Sequence, residues 1–261
     1  MKEFLELVKV MEKLRGPDGC PWDRQQEPED LKACLIEETY EVIEAIDRKD
    51  PGHLQEELGD LLLQVVFLSQ IAQEREQFTI REVILKIIDK LTHRHPHVFG
   101  GKKLENPDQV LDQWERIKAR EKEESDNLLL DGVPNSLPAL LKAYRIASKA
   151  SRVGFDWESA SGALAKVEEE LEEFRQARDR GANENAREEL GDFLFAVANL
   201  CRHLGWNPED ALQDANRKFL VRFNRLERKL RQQGKRLSEA DSRELDSLWE
   251  EVKGEENPAQ K

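Results

Sequence analysis

Four acidic residues stand at helical spacing in the first part of the chain: Glu38 and Glu41, three residues apart, then Glu57 and Asp60, again three apart. Residues three or four apart share a helix face, so each pair projects side by side. Like charges placed this way destabilise an isolated helix by about 0.3 kcal/mol per pair, so four converging carboxylates call for a compensating cation. The pattern then returns. Glu56-Glu57-Leu58-Gly59-Asp60 matches Glu188-Glu189-Leu190-Gly191-Asp192 letter for letter, and Ile36 to Glu41 has a counterpart in Val167 to Glu172. The crowded run Glu168 to Glu173 allows two registers. Matching the apolar spacing of Ile36, Tyr40 and Ile43 to Val167, Leu171 and Phe174 pairs Glu38 with Glu169 and Glu41 with Glu172.

Two further features separate these carboxylates from an ordinary solvated face. Asp60 and Asp192 open apolar stretches, LLLQVVFL and FLFAVANL, which predicts partial burial. A buried carboxylate must be paired or bound to metal. Gly59 and Gly191 fall inside predicted helices, where glycine costs about 1 kcal/mol relative to alanine. The repeated cost predicts close backbone approach to a neighbouring helix or a ligand. All-oxygen donor sets suit Mg²⁺, with Mn²⁺ as a substitute, whereas zinc prefers His and Cys and di-iron bundles carry Glu-x-x-His. Mg²⁺ recruits substrate phosphates, which points to nucleotide chemistry, yet no GxxxxGK[ST] or GxGxxG loop is present.

The elements that must hold these residues are helices. Phe4, Leu7, Val8, Met11 and Leu14 form one stripe, ended by Gly16-Pro17-Asp18-Gly19. Further helices are predicted from Asp30, as cap, to about Arg48, from near His53 to about Arg75, from Thr79 to Arg94 before Pro96, and after Asn106-Pro107 around Trp114. No run reads as a strand. The repeat extends beyond the acidic motifs, in one order throughout. Cys20-Pro21-Trp22-Asp23 answers Gly154-Phe155-Asp156-Trp157, Lys90-x-x-x-Arg94 answers Lys218-x-x-x-Arg222, and Trp114-x-x-x-Lys118 answers Trp249-x-x-x-Lys253. The expected organisation is two homologous all-α domains, 1–121 and 138–254, with a linker at 122–137 and a tail at 255–261.

These motifs together resemble the MazG family of nucleoside triphosphate pyrophosphohydrolases over nearly the whole chain. The resemblance implies an all-α helical bundle that forms a homodimer and cleaves nucleoside triphosphates to the monophosphate and pyrophosphate with Mg²⁺. Carried over, it implies the metal ligands Glu38, Glu41, Glu57 and Asp60 in the first half, and Glu169, Glu172, Glu189 and Asp192 in the second. Attack at the α-phosphate needs charge neutralisation and an in-line water, which Mg²⁺ can supply. Glu37 or Glu168 is then the candidate to orient or deprotonate that water. Lys218, Arg222 and Lys166 are candidates for the polyphosphate, with Trp249 and Lys253 at the base. Lys90, Arg94 and Trp114 are their first-half equivalents. Against these stand plainer roles. Tryptophans are more often core than stacking platforms, Lys90 and Arg94 can complement a helix C-terminus, and His93, His95 and His97 suit a helix end broken by Pro96.

The formal net charge of −13 argues against partners that are extended polyanions, so neither nucleic acid nor an anionic membrane is expected. The amphipathic N-terminus, the short apolar runs and three cysteines without a CxxC pair predict a cytoplasmic protein. Both halves keep the acid pattern. The denser basic stretch from Arg217 to Arg231 favours the second as the active one, in nucleotide-pool housekeeping or a stress response. A pyrophosphohydrolase tuned to dUTP or a guanosine alarmone, or a non-catalytic metal-binding scaffold, remain the alternatives.

Overall fold

A computed structural model describes residues 2–101, 104, 106, 109, 110, 113, 114, 117 and 128–256. Among these residues every regular element is helical, and none is long and apolar enough to cross a membrane. The chain divides into two compact units, Met1–Ser125 and Asp126–Lys261. The 122–127 part of the expected linker, Lys118 and the residues after Glu256 lie outside the described residues.

In the first unit, α1 (Lys2–Arg15) lays its apolar stripe on α4 (Pro51–Glu74). Met11, Val66, Phe67 and Ile71 are buried there with Leu31, the first residue of α3 (Leu31–Arg48), and Phe4, Leu7, Val8 and Leu14 pack around them. The turn after α1 requires glycine at one position, because a Cβ on Gly19 would sit 2.1 Å from the Leu14 carbonyl oxygen. A short helix α2 (Pro21–Gln25) follows, too brief for periodicity to reveal. Asp30 precedes α3 but does not cap it as expected; its Oδ2 instead accepts from the Glu27 amide at 2.9 Å. The helical hairpin of α3 and α4 turns at Lys49, in the left-handed region, and Asp50. Asp50 caps α4 by accepting from the amides of Gly52 and His53. Pro51 supplies the first residue of α4, two positions before the expected start. The capping box of Thr79 and Glu82 opens α5 (Ile80–Arg94), and α6 (Pro96–Phe99) is a single turn.

Arg15 binds three segments of this unit together. Its guanidinium donates to Glu74 at 2.8–3.1 Å and to the carbonyls of Asp23 and Gln26, over the Phe67 ring. The side chain is 6% exposed, so removing it leaves two carbonyls without this donor and takes the ion pair from Glu74, which is 35% exposed and keeps its hydrogen bond from Gln70. Arg15→Ala is expected to destabilise the first unit by about 3 kcal/mol. Urea denaturation should show the midpoint of its transition lowered with the slope unchanged.

The second unit builds a matching hairpin from α8 (Ala160–Asp179) and α9 (Asn183–His203), with α7 (Ala139–Ser151) packed on α9. The long helix α10 (Pro208–Gln232) pairs with α11 (Ser242–Glu256) through Leu226, Leu230, Leu248 and Val252. Helix α11 runs through Glu255 and Glu256, where a tail was expected.

Candidate active site

Each hairpin gathers carboxylates from both of its helices. In the first unit Glu38 comes from α3, and Glu57 and Asp60 from α4; one oxygen of each lies within 4.8 Å of the others. Glu57 is 6% exposed, while Glu38, Glu41 and Asp60 are half-buried. Burial pushes the Glu38 carboxyl above its ordinary range, and the charges of Asp60, Glu41 and Glu57 push it the same way. Glu57 is raised by burial and by Glu41 and Asp60, partly opposed by His53, whose Nδ1 stands 3.0 Å from Glu57 Oε1. Three carboxylate oxygens brought this close form a hard-cation donor set, so the residues present fit Mg²⁺.

In the second unit the converging trio is Glu170, Glu173 and Glu189, again within 4.8 Å. This trio stands one residue along α8 from the register expected from sequence. Glu169 is exposed with an oxygen 2.8 Å from Lys166 Nζ, and Glu172 is exposed beside Arg175 and Gln176. One residue along a helix is a rotation of about 100°, enough to carry a pair off the facing side. The apolar positions that set the expected register, Ile36, Tyr40 and Ile43, are 58%, 42% and 42% exposed and do not mark a buried face. A better signal was available. The numbering shift that carries Glu57 to Glu189 and Asp60 to Asp192 carries Glu38 to Glu170 and Glu41 to Glu173, with no gap between the helices. Burial raises the Glu189 carboxyl, aided by Glu173, Glu170 and Asp192. Asp192 itself is exposed, unlike half-buried Asp60.

Beside this trio lies a cavity of about 330 Å³, within the size range of ligand pockets. Its walls are apolar at Phe155, Trp157 and Phe195, and charged at Lys166, Glu170 and Asp192. Lys166 Nζ stands 2.8 Å from Glu169 and 2.7 Å from Glu170, and these hydrogen bonds hold its pKa far above the ordinary lysine range. Asp156 also lines the cavity, and its Oδ1 accepts from the Trp157 amide at 2.9 Å and from Arg202, with His203 Nε2 at 2.9 Å. Burial works to raise the Asp156 carboxyl, but these donors hold it below the usual range. Sequence reasoning found Lys166 and missed Phe155, Trp157 and Phe195. The only hint was the repeat of the aromatic-acidic segments at Trp22 and Trp157.

The other expected residues are placed differently. Glu37 and Glu168 are exposed and outside both trios, although the charge of Glu37 acts on Glu38. Lys218 and Arg222 follow one another along α10 and are not among the cavity's lining residues. Trp249 is partly buried and packs on the Leu226–Leu230–Leu248–Val252 core with its ring 5.1 Å from Phe219. Lys253 donates to Glu250 on its own helix at 2.8 and 3.1 Å. Lys90 is exposed on α5, and Arg94 lies over the Trp114 ring at 5.7 Å. An added Cβ at Gly59 or Gly191 would meet nothing within 4 Å among the described residues, so no neighbouring helix of the same unit demands either glycine.

The two carboxylate hairpins coincide with two matches to one family, described as the MazG nucleotide pyrophosphohydrolase domain, over residues 26–99 and 158–226. Full-length relatives share the same plan. A Thermotoga maritima protein named nucleoside triphosphate pyrophosphohydrolase/pyrophosphatase MazG is 49% identical over 96% of both chains. An Escherichia coli K12 nucleoside triphosphate pyrophosphohydrolase is 42% identical over 98% of this chain and 99% of that one. The Bacillus subtilis protein YabN is 44% identical over 96% of this chain but 52% of its own length, so the pair of repeats also occurs as a block in a longer chain. With the domain matched twice and the tandem order preserved end to end, the chain belongs to the MazG nucleotide pyrophosphohydrolase family.

Proposed function

We propose that this protein is a Mg²⁺-dependent pyrophosphohydrolase that converts nucleoside triphosphates, ribo- or deoxyribo-, to the monophosphate and pyrophosphate, and that its second unit does the chemistry. The observation that carries this is the trio Glu170, Glu173 and Glu189 set against a cavity that also offers an ammonium and an aromatic wall. The family membership and the names of the relatives support the same reaction. Water attacks the α-phosphorus, a P–O bond to that water forms, the bond to the bridging oxygen breaks, and pyrophosphate leaves. Glu170, Glu173, Glu189 and Asp192 would hold Mg²⁺, or Mn²⁺ in its place, which would supply neutralisation of phosphate charge and a more acidic water. Lys166 meets the polyphosphate, whose charge the carboxylates alone would repel. Phe155 and Trp157 shelter the base. Under the corrected register the counterpart of Glu37 is Glu169, which replaces Glu168 as the candidate to accept the proton of the attacking water. Exposed apolar side chains on both hairpins, among them Ile36, Leu58, Leu190 and Leu194, suit a homodimer. A cytoplasmic role in nucleotide-pool housekeeping or stress fits this chemistry.

Pyrophosphate release should be measured over a nucleotide panel with Mg²⁺, Mn²⁺ or excess EDTA. Activity is expected with either metal and none with EDTA. No release from any nucleotide would sink the proposal and leave a metal-binding scaffold. Protons should compete with the metal, because Glu38, Glu57 and Glu189 hold protons to higher pH than ordinary carboxyls. Their folded values lie above the unfolded ones. They therefore favour the metal-free fold below the ordinary glutamate range near 4.5, and that contribution is lost as pH rises through the folded values. The rise in Tm on adding Mg²⁺ should accordingly be larger at pH 7 than at pH 5, and the half-saturating Mg²⁺ concentration should fall over the same interval.

A further inference from the structure

Among the groups lining the cavity of the second unit, Asn199 has a polarity that its neighbours settle. Its Oδ1 accepts from Arg202 Nε at 2.9 Å. A guanidinium only donates, so the amide cannot turn around, and its Nδ2 end faces away from Arg202. Arg202 is itself held by Asp156, and its side chain is only 14% exposed, so the orientation of the amide is fixed by this pair. Among the described residues no hydrogen bond from Asn199 Nδ2 is found, and the cavity that Asn199 lines is walled by Phe155, Trp157 and Phe195 together with the carboxylate of Asp156. Asn199 therefore adds to this lining an amide whose N–H end is the one left for a ligand, its oxygen being taken by Arg202. The first unit has no such group, since the same numbering shift brings Asn199 onto Phe67, which is 4% exposed inside the core.

We propose that Asn199 reads the edge of the nucleobase, its amide N–H selecting a base that presents a carbonyl there, as hypoxanthine does, over one that presents an amino group, as adenine does. This rests on the cavity being the nucleotide site of the proposed pyrophosphohydrolase. A donor facing a carbonyl forms a hydrogen bond, whereas a donor facing an amino group leaves two buried N–H groups opposed and unpaired. Inosine and adenosine triphosphates differ only in this part of the ring, so their comparison isolates the contact.

The test is kcat/KM for ITP and ATP in the full chain with Mg²⁺, together with calorimetric Kd values for IMP and AMP, the products carrying the same bases. The wild type is expected to favour the inosine ligands by about tenfold, chiefly in KM. Asn199→Asp keeps an oxygen for Arg202 and turns an acceptor to the cavity, so the preference should reverse toward adenosine. Asn199→Leu should bring the two ligands within about twofold of one another. An inosine-to-adenosine ratio unchanged in both variants, or no preference in the wild type, would overturn the assignment. If no nucleotide yields pyrophosphate, the proposed reaction fails, while the IMP and AMP affinities still decide the role of Asn199.

Discussion

Glu170→Gln and Glu173→Gln are each expected to reduce the rate of pyrophosphate release by about 10³-fold, whereas Glu172→Gln and Glu168→Gln should stay within about threefold of the wild type. The contrast follows from geometry. Glu170 is 7% exposed and converges with Glu173 and Glu189, so neutralising it removes a donor from the carboxylate set that this hairpin brings together among the described residues. Glu172 and Glu168 point to solvent, where a lost charge costs little. Steady-state kinetics at saturating Mg²⁺ gives the size of each effect. Raising Mg²⁺ further should recover part of the activity of the Glu173→Gln variant and none is needed for Glu172→Gln. A full loss in Glu172→Gln with normal turnover in Glu173→Gln would restore the register suggested by apolar spacing.

Asp192→Asn should abolish turnover to a similar extent, while Asp60→Asn should leave most of it. Both residues follow the same Glu-Leu-Gly, so the motif alone does not separate them. The surroundings do. In the second unit Asp192 lines a cavity that also holds Lys166, and the numbering shift shared by the repeats places Cys34 where Lys166 stands. A half-buried thiol cannot meet a polyphosphate as an ammonium does. In the first unit His53 sits against Glu57, and its counterpart in the second is Asn185. Measuring both variants at several Mg²⁺ concentrations separates a lost metal ligand from a lost catalytic unit. Full activity in Asp192→Asn with none in Asp60→Asn would assign the chemistry to the first unit.

The parts of this molecule that sequence made legible are those that helical periodicity and exact repetition control. The stripe from Phe4 to Leu14 lies on α4 as its spacing demands, and the Glu-Leu-Gly-Asp repeats stand at matching places in two hairpins. What stayed hidden depends on three dimensions. Helices α2 and α6 are too short to show a period. Asp30 has the side chain of a cap, yet the Glu27 amide competes for its carboxylate. Trp249 stood at a repeated position beside a lysine, which does not distinguish a core ring from a binding ring. The cavity aromatics Phe155 and Phe195 come from a loop and a helix forty residues apart in sequence, with no shared spacing to connect them.

Fusing two hairpins in one polypeptide changes how such a site can be altered. Where identical subunits each carry one hairpin, every substitution enters all copies at once, and a loss in one is a loss in all. Here His53 corresponds in sequence to Asn185, Cys34 to Lys166 and Phe67 to Asn199, each pair written independently. One half is thereby released to be selected for folding and association while the other is selected for turnover, and the ratio of the two stays fixed by the peptide bond that joins them.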